Sequence, residues 1–530
     1  MNISGIVYTL IICLLSFSLF AQSLEREANT NFEDENYRVA LKQYLKLIKT
    51  DEKNLEFNYR IGVCYLNLNM DKTEAIPYLN LVDSLNDGYY EDVKYQLALA
   101  YMHNHDFDKA VSLFKAYKES IRDKIDTEKI RELNRLAEMC DNAKELIKEP
   151  LNVTFYNLGT NINSQREDYN PRVTPDGTFM VFSSDKRYIR DYQQYVRNCY
   201  YSIPVKNDFG EWAKAMSLGK RVTTEENEDV VGMSLDGSKV LIHLDNLTAD
   251  NDIGISEKRT TSFKEVVVFG KEINSKAKEE GACFSITGDT LFFASDKQGG
   301  IGGFDLYYSV KKGKEEWSEA VNLGEPVNSK YDENYPEISA DGKTLRFAST
   351  GFNSMGGYDI FYSNWDKSKG HWGEPKNFGF PVNDTYDNRN ISITKSGRYG
   401  FTSKWRKEGV GDLDIYKVIF NDIPPTKIKY SGVIMVGDSI NPRPLSSVSD
   451  SIRLKIFEKH TKAEYADLSD MAVKGSYEIE MVPGNFDFVI KGDAYEIFHA
   501  DIIIYEEEPR VLSYKLNVYL KPKATGAPGQ

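Results

Sequence analysis

The sequence of 530 residues predicts a multidomain protein that has α-helical repeats first, an all-β propeller next and a small β-sandwich last. Apolar residues recur at helical spacing from 31 to about 148. Short alternating strands separated by turn residues then repeat five times, and further alternating strands follow a Pro pair at 424 and 425. The predicted boundaries are 1–21 for a signal peptide, 22–149 for helical repeats, 150–421 for the propeller, 422–522 for the sandwich and 523–530 for a flexible tail.

Composition excludes one class of partner and favours sheet. The chain has 66 Lys and Arg against 80 Asp and Glu, a net charge of −14, and no basic run interrupts this balance. A protein that binds nucleic acid needs basic groups for the phosphate backbone, so nucleic acid is not an expected partner. The 34 Tyr and 27 Phe residues favour β-structure, since flat rings pack well on pleated surfaces.

The N-terminal segment is predicted to direct export. Its apolar run, from 6 to 20, is too short to span a bilayer, and we expect cleavage after Ala21. A lipid anchor at Cys13 is the minor alternative, because Ile12 stands where a small residue is needed. The four later cysteines show no zinc or disulfide spacing, so buried free thiols are expected at Cys64, Cys140, Cys199 and Cys283.

The helical region contains an internal repeat. The stretch "YRIGVCY" (59–65) returns as "YQLALAY" (95–101), and alanines recur at an interval of 35 at Ala40, Ala75 and Ala110. This pattern resembles the tetratricopeptide repeat, which implies a concave groove that docks a protein. The alternative is that the helices only brace the next domain. Two histidines in one connection, "HNHDF", are expected to occupy a solvated turn rather than a metal site: His103 and His105.

The β-rich region repeats a unit of about 55 residues. Its turn glycines, which include Gly177 and Gly237, follow one another at intervals of 60, 51, 54 and 55, and a second glycine series keeps the same intervals. Four strands per unit predict a propeller of five blades, or six if a degenerate blade is hidden. The strand at 153–159 is free to complete the last blade. The unit resembles the WD40-like, TolB-type propeller repeat.

The near-identical stretches "GGFDLYYS" and "GGYDIFYS" belong to this repeat. We expect their aspartates to be structural and to accept hydrogen bonds from turn amides, with a substrate site as the minor alternative: Asp305, Asp359 and Asp414. After the propeller, "GSYEIEMVPG" (475–484) resembles the hairpin of the carboxypeptidase regulatory-like domain, a non-catalytic module. Its matching residues are Gly475, Tyr477, Val482, Pro483 and Gly484.

No catalytic, cofactor-binding or metal-binding residue is predicted, and the partner-binding residues stay unknown. The sequence lacks a nucleophile elbow, an H-E-x-x-H pair, a P-loop and a dinucleotide-binding fingerprint. The acidic "DNLTADNDIG" (245–254) lacks EF-hand spacing and is expected to be a solvated blade loop. The protein is therefore predicted not to be an enzyme, and a hydrolase with a propeller-borne site is the weakest hypothesis.

The order of domains resembles the PorE-like envelope proteins of Bacteroidota, although their C-terminal OmpA-type domain is not recognisable here. This resemblance implies a periplasmic scaffold associated with the outer membrane and with type IX secretion or gliding machinery. Its implied partners are outer-membrane barrels of the PorP/SprF type or other components of that machinery, with no cofactor. The alternatives are a cell-surface location and a peptidoglycan or glycan binder that uses Trp365, Trp372 or Trp405.

Overall fold

A computed structural model describes residues 22–523 of the protein except for 86–87, 123–126, 191–193, 206–210, 247–248, 261, 315 and 446–451. The predicted signal peptide lies outside the described residues, as does the predicted tail from 524 onward. Within the described ranges, no helix combines the length and the apolar character needed to cross a membrane.

The N-terminal region is entirely helical, as the apolar spacing predicts. Seven helices follow one another as α1 (22–33), α2 (Tyr37–Leu47), α3 (Leu55–Asn67), α4 (Ala75–Leu85), α5 (Val93–His103), α6 (Phe107–Ser120) and α7 (Thr127–Leu146). The three alanines that recur at an interval of 35 are all fully buried between helices. Gly62 permits a close helix contact, because a Cβ there would lie 2.4 Å from Leu79 Cγ.

The region from 153 to 420 forms a β-propeller built from five antiparallel sheets. The first four sheets follow chain order. The first sheet holds β2 (Asp168–Val173), β3 (Met180–Ile189), β4 (Gln194–Ser202) and β5 (Met216–Ser217), and the second holds β6 (Asn227–Met233), β7 (Lys239–Asn246), β8 (Ala249–Glu257) and β9 (Val267–Val268). The third sheet holds β10 (Glu279–Phe284), β11 (Thr290–Ser295), β12 (Asp305–Val310) and β13 (Val321–Asn322). The fourth sheet holds β14 (Glu333–Ile338), β15 (Thr344–Ser349), β16 (Asp359–Asp366), β17 (His371–Trp372) and β18 (Lys376–Asn377).

The fifth sheet joins the two ends of the propeller region. It contains β19 (Ile391–Ile393), β20 (Tyr399–Lys404), β21 (Asp414–Phe420) and, beside β21, the early strand β1 (Val153–Asn157). Val153 pairs with Phe420 in an antiparallel register, so the strand before the first sheet completes the last one, as predicted. Pairing removes the free edges that an open array would expose.

Two local expectations for the propeller can be compared with the structure. The hairpin glycines all adopt positive φ, which a Cβ disfavours: Gly177, Gly237, Gly288, Gly342 and Gly397. The acidic segment 245–254, in contrast, is strand and not the expected loop at its described residues, which exclude 247–248. It extends β7 and β8, with Asp245 opposite Asp250, because strand pairing satisfies backbone groups that a loop would leave to water.

After the propeller, residues 428–520 form two sheets around one apolar core. One sheet holds β22 (Ile428–Val436), β23 (Arg443–Pro444), β26 (Ser476–Met481), β29 (Ser513–Lys515) and β30 (Val518–Leu520). The other holds β24 (Ile452–Glu458), β25 (Glu464–Asp467), β27 (Gly484–Gly492) and β28 (Phe498–Ile504), and a short helix α8 spans Ser469–Ala472.

The expected hairpin at 475–484 is wrong in its pairing. Strand β26 pairs with β22, whereas β27 pairs with β24 and β28, so the segment crosses from one sheet to the other. Tyr477 and Phe488 meet in the shared core with ring centroids 5.0 Å apart. Burial of these rings between the sheets explains the crossing, since a hairpin would place both strands in one sheet.

Candidate binding sites on the propeller

In four of the five propeller repeats, the first strand of the sheet carries an acid that ties down the preceding loop. The acid stands at Asp168, Glu228, Glu279 and Glu333, at the intervals of the turn glycines, and in the fifth repeat Asn388, just before β19, takes its place. In the fourth sheet, Ser329 donates from its backbone N (2.8 Å) and its Oγ (2.7 Å) to the Glu333 carboxylate. A hydroxyl residue four positions before an acid was the signal that sequence analysis missed.

The residue that directly follows each of these five positions differs from one repeat to the next. These residues are Tyr169, Asp229, Glu280, Asn334 and Arg389, and four of them line a cavity of about 310 Å³. Arg197, His243, Tyr335 and Tyr358 also line it. We call this space the central cavity. It combines aromatic walls with both signs of charge, which is typical of sites that bind a small polar ligand.

Several groups in the central cavity already have partners. The Tyr169 hydroxyl donates to Asp229 Oδ1 at 2.6 Å, and Arg197 lies 3.4 Å from Asp229 Oδ2. Asn334 Nδ2 donates to Glu280 Oε2 at 2.6 Å. Burial raises the pKa of the Tyr169 hydroxyl, with the Asp229 charge acting in the same direction, so this phenol stays protonated as a donor.

Other groups in the central cavity lack partners among the described residues. Asn170 Oδ1 and His243 Nε2 are buried and accept or donate no hydrogen bond there. Burial lowers the pKa of His243, which keeps its imidazole neutral near pH 7. The only ionic contact of Arg389 in the described chain is with Asp387, at 3.7 Å. These groups are the ones a ligand would satisfy.

The three repeated aspartates do not enter this cavity. Asp305 accepts hydrogen bonds from the backbone N of Ile301 and Gly302 and from Asn322 Nδ2. Asp414 accepts all three equivalent bonds, and Asp359 accepts two of them, from the backbone N of Met355 and from Asn377 Nδ2. These are the turn-amide contacts that the sequence predicts, and they are a reason for the duplication of the "GGYDIFYS" stretch.

A second candidate site is the face of the propeller on which the helices dock. Arg135, on α7, is the centre of this contact. Its guanidinium donates to the carbonyls of Thr350 (2.7 Å) and Phe352 (3.1 Å) and to Ser354 Oγ (2.7 Å). It also lies 4.5 Å from the ring centroid of Tyr331. A buried cation with these partners orients α7 on the fourth sheet.

The turns between paired helices dock on the same face. The Tyr386 hydroxyl donates to the Met70 carbonyl at 3.2 Å, and Lys72 Nζ lies 5.4 Å from the Tyr386 ring centroid. Asn69 donates to Glu167 at 3.0 Å, and Arg38 pairs with Asp412. One edge of the helical stack is therefore occupied by the propeller, in agreement with the bracing alternative.

Docking uses residues that depart from the repeat. Tyr331 and Tyr386 occupy equivalent positions in the fourth and fifth sheets, where the second and third sheets have Glu226 and Ala277. Met355 is fully buried in the helical core, whereas its equivalent in the third sheet, Ile301, is 42% exposed. The fourth and fifth sheets are thus specialised to hold the helices.

The expectation of a solvated turn fails for His103 but agrees with the exposure of His105. His103 Nδ1 lies 3.1 Å from Thr385 Oγ1, and its ring centroid lies 4.7 Å from that of Tyr386. The His105 ring contacts Phe380 at 6.1 Å. His103, at the end of α5, thus belongs to the interface with the propeller, whereas residues 104–106 of the connection stay exposed beside it.

The remaining candidates from the sequence are placed as follows. The four described cysteines are buried and unpaired, as predicted. Trp405 stacks on Tyr386, and Trp372 is buried, but Trp365 is 41% exposed. In the described residues, one group has metal-ligand geometry and lies in the C-terminal sheets: Asp487, His499 and Asp501. Lysines already neutralise its two carboxylates.

Comparisons with known proteins give matches of low similarity. No family model matches the chain, and neither does any curated protein. TolB from Acinetobacter baumannii is 13% identical, over 54% of this chain and 69% of that one, with a TM-score of 0.32. A putative TolB from Agrobacterium tumefaciens is 15% identical (51% and 97%, TM-score 0.26), and the Myceliophteria thermophila Cps50 (Swd1) propeller domain is 11% identical (66% and 100%, TM-score 0.25).

Proposed function

We propose that the protein is a non-enzymatic scaffold of the bacterial envelope that holds partner proteins on its helical stack and on the docking face of its propeller. The observation that carries this proposal is the specialised contact between α7 and the fourth sheet, centred on Arg135. Such contacts fix two interaction modules in one orientation, which a scaffold requires and an isolated binding module does not.

We further propose the finer assignments that the sequence suggests. The helices form tetratricopeptide repeats, each of the five sheets is one blade, and the C-terminal sheets form a carboxypeptidase regulatory-like sandwich. The protein works in the periplasm beside the outer membrane, as a component related to type IX secretion or gliding machinery. Its partners are then outer-membrane barrels of the PorP/SprF type.

Site-specific photocrosslinking in the native host tests the scaffold. A photoreactive residue at Tyr89 probes the end of the helical stack away from the propeller, and one at Ile301 probes the docking face; the two side chains are 80% and 42% exposed. Ile440 in the C-terminal region, 83% exposed, is the matched control. We expect barrel or secretion components at Tyr89 or Ile301 and not at the control. Identical crosslinks at all three positions, or none, would contradict the proposal.

A glycan-binding function is the second candidate because of one surface groove. Trp365 is exposed and packs edge-to-face on Trp372, with ring centroids 5.2 Å apart, beside Tyr362. An exposed aromatic ring among polar groups suits a sugar ring. Sedimentation with purified sacculi should then be lost in Trp365→Ala and kept in the control Tyr188→Ala, another exposed aromatic. Absence of the unmodified protein from the pellet would remove this candidate.

A further inference from the structure

The central cavity has the size of a site for a small molecule. Its volume of about 310 Å³ lies at the low end of the range for ligand pockets, which is roughly 300 to 1,000 Å³. Residues of all five propeller repeats line it, from Tyr169 in the first to Arg389 in the fifth. Because the walls come from paired strands, the cavity is formed before any ligand arrives.

Two buried polar groups on the wall have no hydrogen-bond partner among the described residues. Asn170 Oδ1 belongs to a side chain that is 3% exposed, and His243 Nε2 to a residue that is 8% exposed. Asn170 also adopts a φ of 52°, a left-handed conformation that costs energy for a residue with a Cβ. Unsatisfied buried groups are rare, and two on one cavity wall point to a ligand that supplies the partners.

Arg389 offers donors for an anionic group. Its guanidinium donates no hydrogen bond within the described part of the chain, and its carboxylate neighbour, Asp387, is 3.7 Å away. Its carbon atom lies 5.6 Å from the Tyr335 ring centroid. A guanidinium presents five N–H donors in a fixed plane, which match the two oxygens of a carboxylate.

The charges on the wall select among anions. Two arginines, Arg197 and Arg389, are accompanied by three carboxylates, those of Asp229, Glu280 and Asp387, and His243 is neutral. A phosphate would bring two negative charges towards these carboxylates, whereas a ligand with one charge of each sign leaves the balance unchanged. Glu280 is open to a cation, because Asn334 occupies only its Oε2 atom.

We propose that the central cavity binds a small zwitterion of the amino-acid type, either free or as a short peptide. The carboxylate lies against the Arg389 guanidinium and the ammonium group lies toward Glu280. Asn170 and His243 complete the hydrogen bonds of the ligand, and the side chain packs on the Tyr335 ring. This proposal does not depend on the scaffold function.

Isothermal titration calorimetry of the purified protein tests it with a panel of amino acids and of dipeptides and tripeptides. The same peptides with acetylated and amidated ends, inorganic phosphate and a neutral monosaccharide are the comparison ligands. We expect at least one zwitterion to bind and its end-blocked form to bind at least about tenfold more weakly, as loss of charge-assisted hydrogen bonds implies. Binding by free amino acids alone or by peptides alone distinguishes the two sources.

Variants locate the binding. Arg389→Gln should weaken binding by at least about tenfold. Glu280→Gln should also weaken binding, because it removes the negative charge toward which the ammonium group of the ligand lies. Arg406→Gln is the matched control, since Arg406 pairs with Glu408 outside the cavity. Thermal unfolding checks that each variant is folded. The proposal is overturned if no zwitterion on the panel binds, if phosphate or the sugar binds instead, or if both folded cavity variants bind as well as the control.

Discussion

Three buried carboxyl groups make the propeller sensitive to pH. Burial raises the pKa of Asp359, Glu228 and Glu333 to about 7. The folded protein therefore holds protons at these sites more tightly than the unfolded chain, and each pKa unit corresponds to about 1.4 kcal/mol. Their stabilising contribution is complete below the unfolded pKa near 4 and is lost as the pH rises through about 7.

Asp359→Asn tests this at a single residue. We expect the thermal midpoint of the propeller to fall from about pH 5 to about pH 8, and to fall less in the variant, because one proton-binding group is gone. The amide can still accept the bonds from Met355 and Asn377. Asp341→Asn is the control, since Asp341 is exposed and hydrogen bonds hold its pKa below 3.8. An equal fall in both variants would contradict the assignment to Asp359.

The structural role of a single residue could be predicted where that residue recurs in several repeats. The interval of 54 between Asp305 and Asp359 indicates a shared structural role, and both accept turn amides. The central cavity was not predictable in this way, because Arg389 stands where the other sheets carry Tyr169, Asp229 and Glu280. Its residues differ between repeats, and only closure of the ring brings them together.

At the scale of elements, one side chain of α7 makes several hydrogen bonds to the propeller. Arg135 is 9% exposed and satisfies carbonyls on the loop between β15 and β16. Removing such a side chain leaves buried carbonyls without donors and opens space beside Tyr331. The orientation of the whole helical stack should therefore respond to this residue.

We expect Arg135→Ala to destabilise the helical region by about 2 to 4 kcal/mol and to expose the connection at 147–152 to protease. Limited proteolysis followed by mass spectrometry measures the second effect. Arg131→Ala is the matched control, because Arg131 is exposed on the same helix. If both variants are cleaved at the same rate, the guanidinium does not hold α7 on the propeller.

The existence of these elements followed from their periodicity, but their contacts did not. Helical spacing and alternation report which face of an element is buried, not what covers it. Thus His103 was assigned to a solvated turn, whereas it ends α5 and contacts Thr385, which lies 282 residues away in sequence. The crossing between β26 and β27 has the same cause, because a hairpin and a crossing share one local sequence pattern.

For the whole molecule, two glutamates fasten the C-terminal region to the propeller. Arg398 Nε donates to Glu506 Oε1 at 2.7 Å, and Tyr399 donates to the same oxygen at 3.1 Å. Ser396 Oγ donates to Glu508 at 2.5 Å. All three donors belong to the hairpin of β19 and β20, so the two regions share polar contacts at this hairpin.

We expect the double variant Glu506→Ala, Glu508→Ala to let the C-terminal region separate from the propeller. Each lost hydrogen bond to a charged group contributes about 1.5 to 3 kcal/mol, so cleavage in the linker at 421–427 should accelerate in limited proteolysis. Glu464→Ala is the control, because Glu464 pairs with Lys455 on the surface of the C-terminal sheets. Equal cleavage of both variants would show that other contacts hold the two regions together.

The order of the three regions could be predicted from the sequence because the spacing of apolar residues differs from one region to the next. The pairing of Val153 with Phe420 could also be predicted, since one strand precedes the first hairpin and the last sheet needs one more strand to be complete. What could not be predicted was that the regions dock. Glu167, Tyr386 and Glu506 resemble ordinary surface residues in the sequence, and their partners lie in other regions.

The pairing of β1 with β21 also sets the order in which the chain can mature. When the ribosome has produced β1, its partner strand is still more than 250 residues away, and loop closure over such a distance is slow. The helices need only nearby contacts and can form first. Until β21 arrives, β1 has no partner strand and its edges remain open to other chains, so the interval before ring closure is when aggregation or chaperone capture should be greatest.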